Sequence, residues 1–258
     1  MLEDVLRIPH LSLGLEIDAK ALIADFEAIT AVYPLRGYRT VHKPAERFYR
    51  ENWSGICLTS SDGGLYTDMS ELARPGSQQR FTKALERAPY MKALLERFTS
   101  DKIRGRIMKI SQGGSLFWHS HVLEHGQPPH ILTCQIPIVV PPGFRYGVID
   151  AIAYKASDLT QLQVHWADYR PGEAYIFNSF HYHNVFNDSN QDRYTLMLYL
   201  NYKTAAIRQL IDAAMAHYRG PLLSSPEKLY NADFGRRESG SDSPQPGVEE
   251  RGVAQGVV

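Results

Sequence analysis

Apolar positions along the first third of the chain recur at helical spacing. Asp18 to Tyr33 places its apolar residues on one stripe, with Asp18 positioned as the N-cap and Pro34-Leu-Arg-Gly as the stop. A short β-like run around Trp53-Ser-Gly-Ile-Cys-Leu-Thr-Ser ends in the turn signal Asp62-Gly-Gly. From Gln78 to Phe98 the spacing predicts a helical stretch interrupted by Pro89, with Tyr90, Met91, Leu94, Leu95 and Phe98 on its apolar face. After Arg104 the period changes. Short runs rich in Ile, Val, Leu, Tyr and Phe (Ile107 to Ile110, Ile131 to Val140, Val164 to Trp166, Ala174 to Phe177 and Tyr194 to Tyr202) alternate with turns at Gln112-Gly-Gly, Pro141-Pro-Gly, Arg170-Pro-Gly and Asn187-Asp-Ser-Asn. Short strands at this spacing predict an antiparallel sandwich or barrel.

Thr204 to Tyr218 reads as an amphipathic helix, and Phe234 to Val258 as a Gly-, Ser-, Pro- and Glu-rich disordered tail. No internal repeat is present. The expected organisation is one domain over 1–233, helical over 1–103, a β core over about 104–203 and a closing helix over 204–218, with the tail over 234–258.

Composition narrows the function. Of 258 residues, 43% are hydrophobic and 22% charged, an ordinary globular balance. Lys plus Arg and Asp plus Glu both number 28, so no net charge draws the chain to nucleic acid or to an anionic membrane. The two cysteines, Cys57 and Cys134, do not make a disulfide framework, which points to the reducing cytoplasm. Met1-Leu-Glu-Asp-Val-Leu-Arg is not a signal peptide, and no run approaches the roughly 20 apolar residues of a membrane span.

The histidines carry the chemistry. His119, His121, His125 and His130 lie close together, and His181 and His183 form a second pair. Residues i and i+2 of a strand point to one face, so each His-x-His pair can aim both imidazoles at one point. If two such strands face each other, three imidazoles can converge on a divalent ion; spacing alone does not choose among Fe, Zn, Cu and Ni. Hydrogen-bonded structural histidines remain the alternative on spacing alone. His125 and His130 read as loop residues, and His165 as a packing or surface residue.

The order of segments then resembles a known family. Ala88-Pro-Tyr-Met-Lys-Ala-Leu-Leu-Glu-Arg-Phe, Ile107-Met-Lys-Ile-Ser-Gln-Gly-Gly and Trp118-His-Ser-His resemble the lead-in of the aspartyl/asparaginyl β-hydroxylases, a family that includes free-standing amino-acid hydroxylases such as proline hydroxylases. Ile131 to Pro141 is similar to the family's next strand, and Tyr169-Arg-Pro-Gly-Glu-Ala-Tyr-Ile-Phe-Asn to its Gly-Glu turn and strand. Phe180-His-Tyr-His-Asn-Val-Phe-Asn-Asp-Ser resembles the segment with the distal iron-binding His, and Asp192-Arg193-Tyr-Thr-Leu the segment whose Arg binds 2-oxoglutarate. The likeness runs from about Trp53 to Tyr202.

The resemblance implies a double-stranded β-helix (jelly-roll, cupin-like) fold and an Fe(II)- and 2-oxoglutarate-dependent dioxygenase. Such an enzyme consumes O2 and hydroxylates an unactivated C–H of an amino acid, a peptidyl residue or a related small molecule. It implies His119 and His183 as iron ligands and Arg193 as the partner of the co-substrate's distal carboxylate, a bidentate pairing for which a guanidinium is suited. Two departures stand out. His121 occupies the place where proline-hydroxylase-like members carry Asp, as a third ligand or a group behind the ligands. Thr133-Cys-Gln135 replaces an Arg-x-His that helps to hold the keto acid, leaving Thr133 and Gln135 as candidate hydrogen-bonding partners. Trp118, Phe117, Tyr146, His181 and Tyr182 are candidate pocket residues. The rival readings are a three-histidine dioxygenase or cupin-like enzyme without 2-oxoglutarate, and a non-catalytic metal or small-molecule binding module.

Overall fold

The computed structural model describes residues 2–37, 52–67, 79–98, 104–115, 118–120, 130–150 and 163–224. The expected tail, 234–258, lies outside them, as do His121, His125 and Phe117. Four helices are described: α1 (Leu2–Val5), α2 (Ala19–Thr30), α3 (Pro89–Phe98) and α4 (Ala205–His217). The strands are β1 (His10–Ser12), β2 (Arg36–Gly37), β3 (Trp53–Cys57), β4 (Thr59–Ser60), β5 (Arg80–Phe81), β6 (Gly105–Ile110), β7 (Ile131–Val139), β8 (Phe144–Ile149), β9 (Val164–Ala167), β10 (Tyr175–Phe177), β11 (Tyr182–Asn187) and β12 (Arg193–Asn201).

Asp18 caps α2 as expected, its carboxylate accepting from the amides of Lys20 and Ala21. The stretch expected to be helical from Gln78 onward is instead β5, a 3-10 turn over Lys83–Arg87, and then α3. Pro89 does not interrupt a helix but begins one, because its missing N–H falls where a helix has no partner for it. The buried Asp25 of α2 receives the Met91 amide of α3 at 2.7 Å, so one helix caps the other.

An antiparallel seven-stranded sheet has the order β1-β10-β7-β12-β6-β3-β2, and a three-stranded sheet the order β11-β8-β9. Three strands of the large sheet thus come from the part of the chain read as mainly helical, and of these β3 coincides with the expected β-like run at Trp53. Alternation divides the large sheet's faces. Ile56, Ile107, Cys134, Ile136, Ile176, Leu196, Leu198 and Leu200 pack outward against the helices. The other face meets the small sheet, where Ile110, Tyr175 and Phe177 cluster with Phe144, Tyr146 and Val185. Between Tyr194 and Thr195 the β7–β12 register shifts: Tyr194 pairs with Val139, and Thr195 with Pro137. This bulge lets Pro137, which has no N–H to offer, sit within a strand paired on both sides. Among the described residues no helix is long and apolar enough to cross a membrane.

Candidate metal and co-substrate site

The small sheet gains a further edge where Ser115 and His119 bridge to β11. His119 and His183 are direct partners there: His119 N–H donates to the His183 carbonyl at 3.2 Å, and His183 N–H to the His119 carbonyl at 2.9 Å. Directly opposed residues of an antiparallel pair project to the same side, and the two imidazole centroids lie 4.1 Å apart. Both residues are buried. The His183 Nδ1 lies 3.1 Å from the His181 carbonyl, which can only accept; that nitrogen therefore carries the proton, and Nε2 is left with the lone pair a metal needs. Phe177 of the large sheet meets the His183 ring edge-on at 5.0 Å, so the pair faces the space between the sheets.

Arg193 opens β12 on the same interior. It is 1% exposed, and its guanidinium donates to the Tyr146 hydroxyl and, at 3.3 Å, to Gln135 Oε1. The cation lies 4.7 Å from the Phe144 ring centroid and 5.1 Å from that of Tyr146. No carboxylate among the described residues pairs with it, and its Nε has no hydrogen-bond partner there. Burial pulls its pKa down, opposed by the Tyr146 oxygen. A buried guanidinium without a counter-ion costs several kcal/mol, so the arrangement suits an anionic ligand. Ring contacts connect the two halves: Phe177 is 5.8 Å from Tyr146, which lies 4.2 Å from Tyr169, itself stacked on Tyr175 at 4.1 Å.

The other candidates separate. Gln135 joins Arg193, while Thr133 lies two residues along β7 on the same face and shares a hydrogen bond of 3.1 Å with the Ser179 hydroxyl. Trp118 packs on the far face of the small sheet, 6.1 Å from Phe186 and over Gly147. Alternation sends Tyr182 to that far face too, away from His183. His181 is fully buried, and burial lowers its pKa to about 4. His130 is half-buried at the start of β7, and His165 sits on β9. Among the described residues no group of three or more His, Cys, Asp or Glu side chains is placed to hold a metal, and His121 lies outside them.

Sequence reasoning missed Thr195, Tyr169 and His10. Thr195 was within reach, since it follows Arg193 by two in a strand and so shares its face. His10 was not. Its Nδ1 meets the Tyr169 hydroxyl at 2.9 Å and its Nε2 the His165 carbonyl at 2.9 Å, contacts spanning more than 150 residues of sequence.

Two facing antiparallel sheets, with paired histidines on the small one and a buried arginine on the large one, define a double-stranded β-helix of the jelly-roll, cupin-like class. A family model for aspartyl/asparaginyl beta-hydroxylase matches residues 18–201, and the chain belongs to that family. The match begins at the cap of α2, upstream of the likeness read from the motifs. No curated protein sequence matches the chain. Among solved structures it is similar to an oxidoreductase of the 2OG-Fe(II) oxygenase family from Burkholderia pseudomallei (11% identity, 78% of this chain and 87% of that one, TM-score 0.47). It is also similar to a prolyl-4-hydroxylase from Pseudomonas putida (10% identity, 78% and 96% covered, TM-score 0.46). A third is the non-heme alpha ketoglutarate dependent epimerase SnoN from nogalamycin biosynthesis (12% identity, 78% and 81% covered, TM-score 0.46).

Proposed function

We propose that the protein is an Fe(II)- and 2-oxoglutarate-dependent hydroxylase acting on an amino acid, a peptidyl residue or a related small molecule. The observation that carries this reading is Arg193, fully buried between the sheets with no carboxylate partner among the described residues. His119 and His183 would hold the metal through neutral imidazoles, with His121 as the third ligand. The chemistry such a metal supplies when bound is the activation of dioxygen. Arg193 binds the distal carboxylate of the keto acid and so fixes which end of it points toward the histidines. Gln135 and Thr133 offer neutral hydrogen bonds where relatives carry Arg-x-His, and Phe144, Tyr146 and Phe177 keep the chamber dry.

The test is turnover of 2-oxoglutarate by the iron-loaded protein, read as succinate and carbon dioxide release. Release that depends on iron and rises with a substrate is the expected result. Iron binding without any keto-acid turnover would favour the three-histidine reading, and no metal binding at all the non-catalytic one.

A further inference from the structure

We infer that Tyr146, Tyr169 and Tyr175 form a relay that drains an oxidising equivalent from the metal side of the chamber to the protein surface. The inference rests on the iron-binding half of the reading above and is indifferent to its keto acid. Four ring contacts run in series: His183 to Phe177 at 5.0 Å, Phe177 to Tyr146 at 5.8 Å, Tyr146 to Tyr169 at 4.2 Å and Tyr169 to Tyr175 at 4.1 Å between centroids. The last pair is parallel to within 3°, and all three phenols are buried. Buried tyrosines ordinarily find an acceptor. Here the acceptors come in an order. Tyr146 donates to the amide oxygen of Gln135, which is no base, and stands beside the Arg193 cation. Tyr169 donates to Nδ1 of His10 at 2.9 Å, a neutral imidazole that can take a proton. Tyr175 donates to the Glu173 carboxylate at 2.5 Å, while the Arg170 amide donates to the same phenol oxygen at 3.2 Å. Glu173 is half-buried, and Arg170 and Pro171 beside it are exposed, so the series ends at the surface.

A phenol that loses an electron becomes a strong acid, so it is oxidised readily only where a base stands ready for its proton. A cation close by opposes that loss and an anion favours it. The vacancy is therefore held worst at Tyr146, better at Tyr169 and best at Tyr175, and it moves outward. In the first step an electron leaves Tyr169 through the Tyr146 ring, and the Tyr169 proton passes to His10 Nδ1. In the second, Tyr175 reduces Tyr169, His10 returns the proton, and the Tyr175 proton passes to Glu173. A thiol in solution then gives Tyr175 an electron, and Glu173 gives back the proton. The thiol is left as a thiyl radical, its own proton going to water. The electron's destination is a one-electron oxidant generated at iron by dioxygen or a peroxide when no substrate is there to consume it. Without the relay that oxidant attacks Phe177, the ring that touches His183.

In the experiment the full chain, Fe(II)-loaded and without keto acid, is mixed with hydrogen peroxide and freeze-quenched. Electron paramagnetic resonance reads the radical, and mass spectrometry maps oxygen added at Phe177. Peroxide stands in for keto acid and dioxygen, so the result does not depend on whether the protein uses 2-oxoglutarate. The wild type should show an iron-dependent tyrosyl radical and little oxidised Phe177. Tyr169→Phe keeps the ring stack but breaks the relay; the radical should fall several-fold and oxidation at Phe177 should rise several-fold. Tyr175→Phe should leave the radical on Tyr169, longer-lived and with a changed hyperfine pattern. His10→Gln can still accept a hydrogen bond but not a proton, and should behave like Tyr169→Phe; a purely structural role for His10 predicts the wild-type result instead. No iron-dependent tyrosyl radical in the wild type overturns the inference. So does an unchanged radical yield and Phe177 oxidation in Tyr169→Phe and His10→Gln. A radical that follows these expectations in a protein that never turns over 2-oxoglutarate keeps the relay and sinks the co-substrate reading. Failure to bind iron removes the oxidant and overturns the relay together with the ligand assignment.

Discussion

Arg193 is the residue on which the proposed use of a keto acid turns, because its charge is buried without a carboxylate among its described neighbours. Arg193→Ala should raise the apparent KM for 2-oxoglutarate by a loss on the order of 2–5 kcal/mol, the cost of breaking a buried charged pair. Arg193→Lys should recover only part of it, since an ammonium cannot make the bidentate fork. Iron content, measured by metal analysis, should be unchanged in both. His119→Ala and His183→Ala should each lose stoichiometric iron while keeping the circular dichroism of the wild type; full iron occupancy in His183→Ala would falsify the ligand assignment. Strand alternation made the two histidine pairs candidates for a shared site, whereas the choice of His119 and His183 among them, and of Arg193 ten residues beyond, came from the resemblance to the family. The contacts of Tyr146 were not legible, since its partners Gln135 and Arg193 lie eleven and 47 residues away and meet it only through folding.

Elements differed in how plainly they announced themselves. β7 and β12 are long and apolar, and the sequence places both within about two residues. β8, which carries Tyr146, went unread, and β11 was inferred only from its histidine pair and without bounds. β8 has Gly147 in its middle, and β11 contains two asparagines, residues that weaken any strand signal. Gly147 is there for space. A Cβ at this position would lie 2.9 Å from Trp118 Cη2, Trp166 Cζ3 and Val164 Cγ1 alike. Gly147→Val should therefore destabilise the protein by about 1–3 kcal/mol through overpacking, read as a lower midpoint in urea unfolding. An unchanged midpoint would mean that the two indoles move aside without cost. Asp25→Ala, which removes the cap on α3, should cost about 1 kcal/mol in the same assay.

At the scale of the molecule, a β core flanked by helices was legible, and the membership of β1, β2 and β3 in the large sheet was not. β1 and β2 have three and two residues, too few for an alternation to show. β1 nonetheless matters to the assembly of the two sheets. The His165 carbonyl can only accept, so His10 Nε2 holds the proton, and Nδ1 accepts from the Tyr169 hydroxyl. The neutral ring is satisfied on both sides, and burial lowers its pKa from 6.5 to about 4. The unfolded chain therefore binds a proton that the folded one refuses over that interval. Stability from His10 is complete above about pH 6.5 and is lost as the pH falls toward 4. The loss should be on the order of 2 kcal/mol, discounted from the full shift because the residue is only partly buried. Urea unfolding across this range, compared with His10→Gln, measures it; parallel pH profiles for the two proteins would remove His10 as the cause.

The reciprocal hydrogen bonds between His119 and His183 tie two amide protons to a single event. Neither proton can be traded for deuterium until the segment bearing His119 peels away from β11, and when it does both are released together. Their exchange rates should then match each other and differ from those of amides deeper in β12. Because both hydrogen bonds run from main chain to main chain, protection of both amides should already be present in metal-stripped protein. The clock that these two protons keep is the rate at which the backbone pairing beneath both imidazoles comes apart.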